Sequence, residues 1–305
     1  MSVGSGVLYL VGTPIGNLED MTPRAVRVLG EVDVIAAEDT RRTMALCNHF
    51  GIRKRVISYH EHNKETSGER IVSMILSGAA VALVSDAGMP GFSDPGCELV
   101  DRCHDAGIKV VPVPGPNAAV TALVCSGFRA QGFVFEGFLP RQRRRRLEAL
   151  ERYGRDPRAV VVYESPQRVA ATLNDIATAL GDRQLVVARE LTKLHEEIIR
   201  ARAGEAASRV GTSPIGEFVI VIEGSRALSA LDGAVRRRGL RSGAVEPPGD
   251  AAGAGGDGIV VDPARAVREL EKAGVPKMEA IKALAKAAGI PKRELYAMLQ
   301  RDTGK

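Results

Sequence analysis

In Val81-Ala82-Leu83-Val84-Ser85-Asp86-Ala87-Gly88-Met89-Pro90-Gly91-Phe92-Ser93-Asp94-Pro95-Gly96 an apolar run of strand length ends at a carboxylate and breaks into glycine and proline. Glycine lets backbone approach a ligand closely, and proline stiffens a loop before the ligand arrives. In open α/β sheets, ligands bind beyond the carboxyl ends of strands, in loops of this kind. Alone, the segment also fits an ordinary strand-to-helix turn, so its companions decide.

Three other segments share its character. Val7-Leu8-Tyr9-Leu10-Val11 leads into Gly12-Thr13-Pro14-Ile15-Gly16-Asn17, Val32–Ala37 into Glu38-Asp39-Thr40-Arg41-Arg42, and Lys109–Val113 into Pro114-Gly115-Pro116-Asn117. Apolar residues at helical spacing over Met21–Leu29 and Gly68–Leu76 predict helices between them, the first opened by a Thr22 cap and Pro23. Alternating strand and helix predicts a mostly parallel sheet covered by helices, with these loops on one rim.

A chain of 305 residues suggests two domains with an appendage. The first α/β domain is expected over 1–115, with a hinge at Pro114-Gly115-Pro116-Asn117. A second is expected over 116–237, with strands at 133–135, 159–163, 185–188 and 218–222. Residues 238–262 read as a Gly/Ala/Pro/Asp linker. Gly253–Gly258 matches the dinucleotide glycine pattern, but no strand precedes it, so it is set aside. Residues 263–305 read as a small basic helical domain with helices near 264–273, 277–285 and 292–299, spaced like a helix-turn-helix unit or a capping bundle.

No run of about 18 apolar residues predicts a membrane span. Met1–Gly6 lacks a basic region followed by an apolar core, so no signal peptide is expected. Cys47, Cys97, Cys103 and Cys125 form no metal-binding spacing and are expected as buried, reduced thiols. Tryptophan is absent and aromatics are few, so base stacking is not expected to be the main source of affinity for nucleic acid. From 263 to 305, ten Lys or Arg oppose five acids, which equals the +5 of the whole chain. Further clusters are Arg141 and Arg143–Arg146, and Arg236–Arg238 with Arg241. Such runs are often solvated helix faces. Three of them on one basic chain favour phosphate contacts, carried by Arg143, Arg144, Arg145, Lys292 and Arg293.

The strings LYLVGTPIGNLED, AAEDTRRT, SYHEHN, SDAGMPGFSDPG, VPVPGPNA, FEGFLP and YESPQR together resemble the small-subunit ribosomal RNA methyltransferases that modify a cytidine ribose at its 2′-hydroxyl. These belong to the tetrapyrrole-methylase fold, the class III S-adenosylmethionine-dependent enzymes. The resemblance spans about 7–223. It implies two α/β/α domains with the cofactor cleft between them, plus a small C-terminal helical domain. It also implies S-adenosylmethionine as cofactor, no metal, a cytoplasmic homodimer, and ribosomal RNA or the assembled small subunit as partner.

The resemblance puts Pro14, Asp86, Gly88, Met89 and Pro90 around the donor. From the hinge and second domain it adds Asn117, Ala118, Tyr163, Leu191, Ile215 and Gly216. Asp86 also fits a helix N-cap. A hydroxyl acceptor profits from a general base, with candidates among Glu38, Asp39, His60, His62 and Glu190. Glu38, Asp39 and Arg41 are expected to face the acceptor, although beside Arg41 and Arg42 the two carboxylates also fit surface ion pairs. The His pair also fits structural hydrogen bonding. Two other functions compete: methyl transfer on this fold to a tetrapyrrole or to a modified histidine of a translation factor, and a non-catalytic RNA-binding assembly factor. The Thr13–Asn17 loop departs from the Gly-rich loop of the tetrapyrrole enzymes.

Overall fold

The computed structural model describes residues 3–129, 132–211, 214–225, 267, 271, 276–288, 293 and 296. The first sheet holds β1 (Val7–Val11), β2 (Val34–Ala37), β3 (Arg55–Ser58), β4 (Ala80–Val84) and β5 (Lys109–Val113), all parallel, in the order β3-β2-β4-β1-β5. Every residue of β2 and β4 is buried, as expected of inner parallel strands covered on both faces. Pro112 sits on β5, an edge strand, where a missing N–H breaks no ladder.

Helices α1 (Pro23–Glu31) and α2 (Thr40–His49) cover one face through Ala25, Val28, Leu29 and Cys47. Helices α3 (Lys64–Leu76) and α4 (Cys97–Asp105) cover the other through Ile71, Ile75, Leu99 and Cys103. The start of α1 is as read: Thr22 Oγ1 accepts the Ala25 N–H at 3.1 Å and the helix begins at Pro23. Other boundaries differ from the sequence reading. Val32 closes α1 by donating to Val28, and Asp33 turns its carboxylate onto the Ala80 N–H, so β2 starts only at Val34. Helix α3 starts four residues before Gly68, at Lys64.

The second sheet holds β6 (Phe133–Phe138), β7 (Ala159–Glu164), β8 (Gln184–Arg189), β9 (Glu197–Arg202) and β10 (Phe218–Ile222), in the order β6-β7-β10-β8-β9. Only β6 and β7 are parallel; the other pairs are antiparallel. Helices α6 (Arg143–Glu151), α7 (Val169–Leu180) and α8 (Ala203–Val210) cover its outer face. Its inner face is covered by α5 (Ala118–Ser126) together with Ile15 and Phe92 from the first sheet's loops. The two sheets therefore share an apolar seam, and the site lies along it.

Helix α9 (Lys277–Ala288) falls within the predicted basic tail. Residues 293 and 296 are helical; the proposed linker, Arg236–Arg238, Arg241, Gly253–Gly258 and Lys292 lie outside the described residues. Cys47 and Cys103 are buried as expected, whereas Cys97 and Cys125 are exposed, because each lies on the solvent side of its helix. Within the arginine cluster, Arg146 is interior. It and Asp175 are 7 % and 3 % exposed and pair at 2.7 Å, and Arg146 Nη1 also donates to the Pro140 and Arg141 carbonyls. Asp175→Ala strands that guanidinium and is expected to cost about 3–5 kcal/mol in urea unfolding. Arg144→Ala, at an exposed pair with Glu148, is expected to cost under about 0.5 kcal/mol.

Candidate functional site

Strands β4 and β1 are neighbours, yet the chain leaves β1 toward β2 and leaves β4 toward β5, on opposite sides. Such a reversal opens a crevice at the strands' carboxyl ends. Here the β1 and β4 loops are tied to each other. Thr13 N donates to the Gly88 carbonyl at 2.9 Å, and Gly88 N returns the bond at 3.1 Å. Thr13 Oγ1 donates to the Ser85 carbonyl at 3.2 Å. The β5 loop closes from the far side: a Cβ on Gly12 would lie 2.7 Å from Gly115 Cα. Only glycine permits that approach.

A cavity of ≈ 330 Å³ opens between these loops and the second sheet. Ile15, Gly88, Met89, Phe92 and Asp94 line it from the first sheet, and Asn117 and Ala118 from the start of α5. Asn117 caps α5 by accepting the Val120 N–H at 3.0 Å. The second sheet contributes Phe138, Tyr163, Glu164, Leu191, Gly216 and Phe218. Phe92 stacks on Phe135 at 4.2 Å, so the β4 loop is clamped to the second sheet.

The wall made by Leu191 and Gly216 is held under backbone constraint. Glu190 and Thr192, on either side of Leu191, have φ of 50° and 67°, and Gly216 has 100°. Non-glycine residues keep such conformations only where their surroundings fix them. The Glu190 carboxylate accepts from Glu217 N and Lys193 Nζ, each at 2.9 Å. A Cβ on Gly216 would meet that carboxylate at 2.6 Å, and one on Gly16 would lie 2.5 Å from Lys193 Cγ. Lys193 thus joins the first-sheet loop to this wall.

Carboxylates gather where the β2 and β4 loops meet. Burial and the nearby charges of Glu38 and Asp86 push Asp94 up to about 6, against a weaker pull from the Ser85 hydroxyl. Burial and the Asp86 charge raise Glu38 as well. Hydrogen bonds from the Arg41 side chain and backbone hold Asp39 down at about 2. Burial pushes the Tyr163 phenol up to about 12, so it stays protonated. Each environment favours a different proton inventory, as at sites where titratable groups do work.

Of the sequence-derived donor residues, Gly88, Met89, Asn117, Ala118, Tyr163, Leu191 and Gly216 line the cavity. Pro14 and Pro90 adjoin it in chain, and Ile215 is exposed, its carbonyl accepting from Arg189 at 2.7 Å. Asp86 is not the N-cap of α4, a position held by Gly96. It accepts the Asp39 N–H at 3.0 Å and pairs with Arg42 at 3.3 Å, which ties the β4 and β2 loops together. Asp39 caps α2 and grips Arg41 at 3.0 Å, while Arg41 itself is 86 % exposed. Arg143 pairs with Asp175 and Arg144 with Glu148, and Arg145 and Arg293 are exposed. Asp94 and Phe138 line the cavity without having been singled out; the signals were a carboxylate between Ser93 and Pro95, and an aromatic directly after Gly137.

The model of the family Tetrapyrrole (Corrin/Porphyrin) Methylases matches residues 7–207. A ribosomal RNA small subunit methyltransferase I of Halalkalibacterium halodurans is 44 % identical over 97 % of this chain and 96 % of its own. Its namesake in Thermotoga maritima is 49 % identical over 72 % of this chain and 99 % of its own. Among solved structures, uroporphyrin-III C-methyl transferase from Thermus thermophilus, complexed with S-adenyl homocysteine, shares the fold at 20 % identity. Its TM-score is 0.52, over 70 % of this chain and 96 % of that one. No described helix is long and apolar enough to cross a membrane. The family match and relatives aligned almost from end to end agree with the glycine-lined crevice, and the chain belongs to the tetrapyrrole (corrin/porphyrin) methylase family, alongside its members called ribosomal RNA small subunit methyltransferase I.

Proposed function

We propose that this protein transfers a methyl group from S-adenosylmethionine to the ribose 2′-hydroxyl of a cytidine in small-subunit ribosomal RNA. The observation that carries the reading is the switch-point cavity, with glycine backbone at its floor, apolar walls, and the desolvated carboxylate of Asp94 at its lining. The fit to the cofactor rests on the same features. Gly88 and Gly216 bring bare backbone to the cavity, Leu191 and Phe218 offer an apolar wall, and Asp94 with Glu38 provides negative charge toward a cationic donor. S-adenosylmethionine supplies, when bound, a methyl carbon already activated by its sulfonium.

The protein's own share is to align the acceptor, exclude water and take a proton. The apolar lining excludes water. Asp94 takes the hydroxyl proton, and Glu38 keeps its pKa high. Asp39 orients Arg41 toward an acceptor phosphate. Ribosomal RNA as acceptor is supported by the names of relatives that align along nearly the whole chain, and by the positive charge concentrated in 263–305. The reading makes the enzyme cytoplasmic and a homodimer; sedimentation velocity of the purified chain tests the latter.

The experiment is labelled-methyl transfer to unmodified small ribosomal subunits, to their naked RNA and to a tetrapyrrole precursor, followed by mass mapping of the nucleoside. A 2′-O-methylcytidine product is the expected result. Label on the tetrapyrrole alone, or none anywhere with donor still bound, overturns it. Arg41→Ala is expected to lower RNA methylation about tenfold, as for one lost phosphate contact, with donor affinity intact; weakened donor binding would move Arg41 out of the acceptor side.

A further inference from the structure

Phe138 ends β6 and is 60 % exposed, although it lines the cavity. A large aromatic left open to water at the rim of a binding cavity calls for a physical account. Its orientation is built into the strand. Phe133 and Phe135 face the seam shared with α5, and strict alternation would send Phe138 to the opposite face. A register shift between Phe135 and Gly137 inserts one residue, so Phe138 pairs with Tyr163 on the cavity face. Gly137 permits this with φ of 68°. Glu136, the extra residue, is fixed on the other side by the Tyr153 hydroxyl and by Arg152 Nη2 at 2.8 Å. Bulges beside active sites serve to re-aim side chains.

The ring is supported from behind. Tyr163 stands edge-on to Phe138 at 5.8 Å and to Phe135 at 5.0 Å, and Phe92 stacks on Phe135. Of the seven Phe and five Tyr in the chain, Phe92, Phe138, Tyr163 and Phe218 line this one cavity. Past buried Leu139 the backbone runs directly into Arg141, Arg144 and Arg145, all exposed. A ring at the rim followed by cations matches a base followed by its phosphates.

We propose that Phe138 is the platform on which a nucleobase of the acceptor RNA stacks once its nucleotide leaves the helical stack and presents its ribose to the cavity. The proposal rests on the RNA-methylating function proposed above and names how that acceptor is held. One platform sets position and adds a single stacking contact, which accords with the scarcity of aromatics elsewhere. Two bases reach such a site, the acceptor's and the donor's adenine. Exposure at the rim and the adjoining arginines assign Phe138 to the acceptor.

The chain has no tryptophan, so Phe138→Trp carries the sole indole. Its fluorescence is expected to be quenched saturably by a short cytidine-containing single-stranded RNA and unchanged by S-adenosylhomocysteine alone. Phe138→Ala is expected to raise the KM for small-subunit RNA about tenfold, with kcat at saturating RNA and calorimetric donor affinity unchanged, and Phe138→Tyr to restore it. An unchanged KM in the alanine variant, or a loss confined to donor affinity, overturns the platform while leaving the proposed function in place. Wild-type enzyme that methylates no RNA overturns the function, and the platform with it.

Discussion

Gly115→Val is expected to weaken donor binding roughly 5- to 150-fold while both sheets stay folded. A Cβ on Gly115 would lie 2.8 Å from Gly12 Cα and 3.0 Å from its carbonyl carbon. Both obstacles are backbone, so no rotamer change relieves them. The β1 and β5 loops must part, and the cavity lies between those loops and the second sheet. Overpacking of this kind costs about 1–3 kcal/mol, which at the binding loops corresponds to roughly a 5- to 150-fold loss of affinity. Calorimetric titration with S-adenosylhomocysteine beside a thermal melt separates binding from folding. Gly30→Ala is the matched control. It sits in α1, a Cβ there meets nothing within 4 Å, and alanine favours the helix by about 1 kcal/mol. Wild-type donor affinity in Gly115→Val would remove the crevice from the list of donor sites.

How much of this was legible in the sequence follows from where each residue lies in the sheets. The inner strands β1, β2 and β4 are apolar on both faces and stand out as unbroken runs. The edge strands β3 and β9, Arg55–Ser58 and Glu197–Arg202, were missed: each is open to solvent along one side and carries charged residues. The rim loops were legible because glycine and proline mark them in any sequence. Residue-level roles were harder. Asp86 also fits a helix cap in the sequence, yet Gly96 holds that position and the Asp86 carboxylate meets the Asp39 amide and the Arg42 guanidinium of α2, a relation set by tertiary packing alone. Phe138 follows the wrong parity until the bulge at Gly137 is known. Asp94 follows Ser93, whose φ of 64° no pattern of residue types announces.

Asp94→Asn is expected to lower methyl transfer about 10²- to 10⁴-fold, the usual effect of removing a general base, without weakening the fold. The Asp94 carboxyl is raised from its ordinary 3.8 to about 6, so it is ionised and able to accept a proton at neutral pH. The wild-type rate is therefore expected to climb with pH through about 6 and then level, and the residual rate of the variant to lack that limb. Stability runs the other way. A carboxyl whose pKa is raised by folding binds its proton more tightly in the native state, so ionisation destabilises the native state as pH rises from about 4 through about 6. Asparagine keeps the shape without the charge, and above pH 6 the variant is expected to melt no lower than wild type. A slower enzyme that is no less stable is what a chemical role predicts; a slower and less stable one indicates a structural role. Glu38→Gln sharpens the test from the neighbouring strand. Burial is the larger cause of the shift in Asp94, and the charge of Glu38 is the next. Removing that charge is expected to move the acid limb of the pH–rate profile to lower pH while the plateau stays near its wild-type height. An acid limb that does not move in Glu38→Gln would mean that the titrating group is not Asp94.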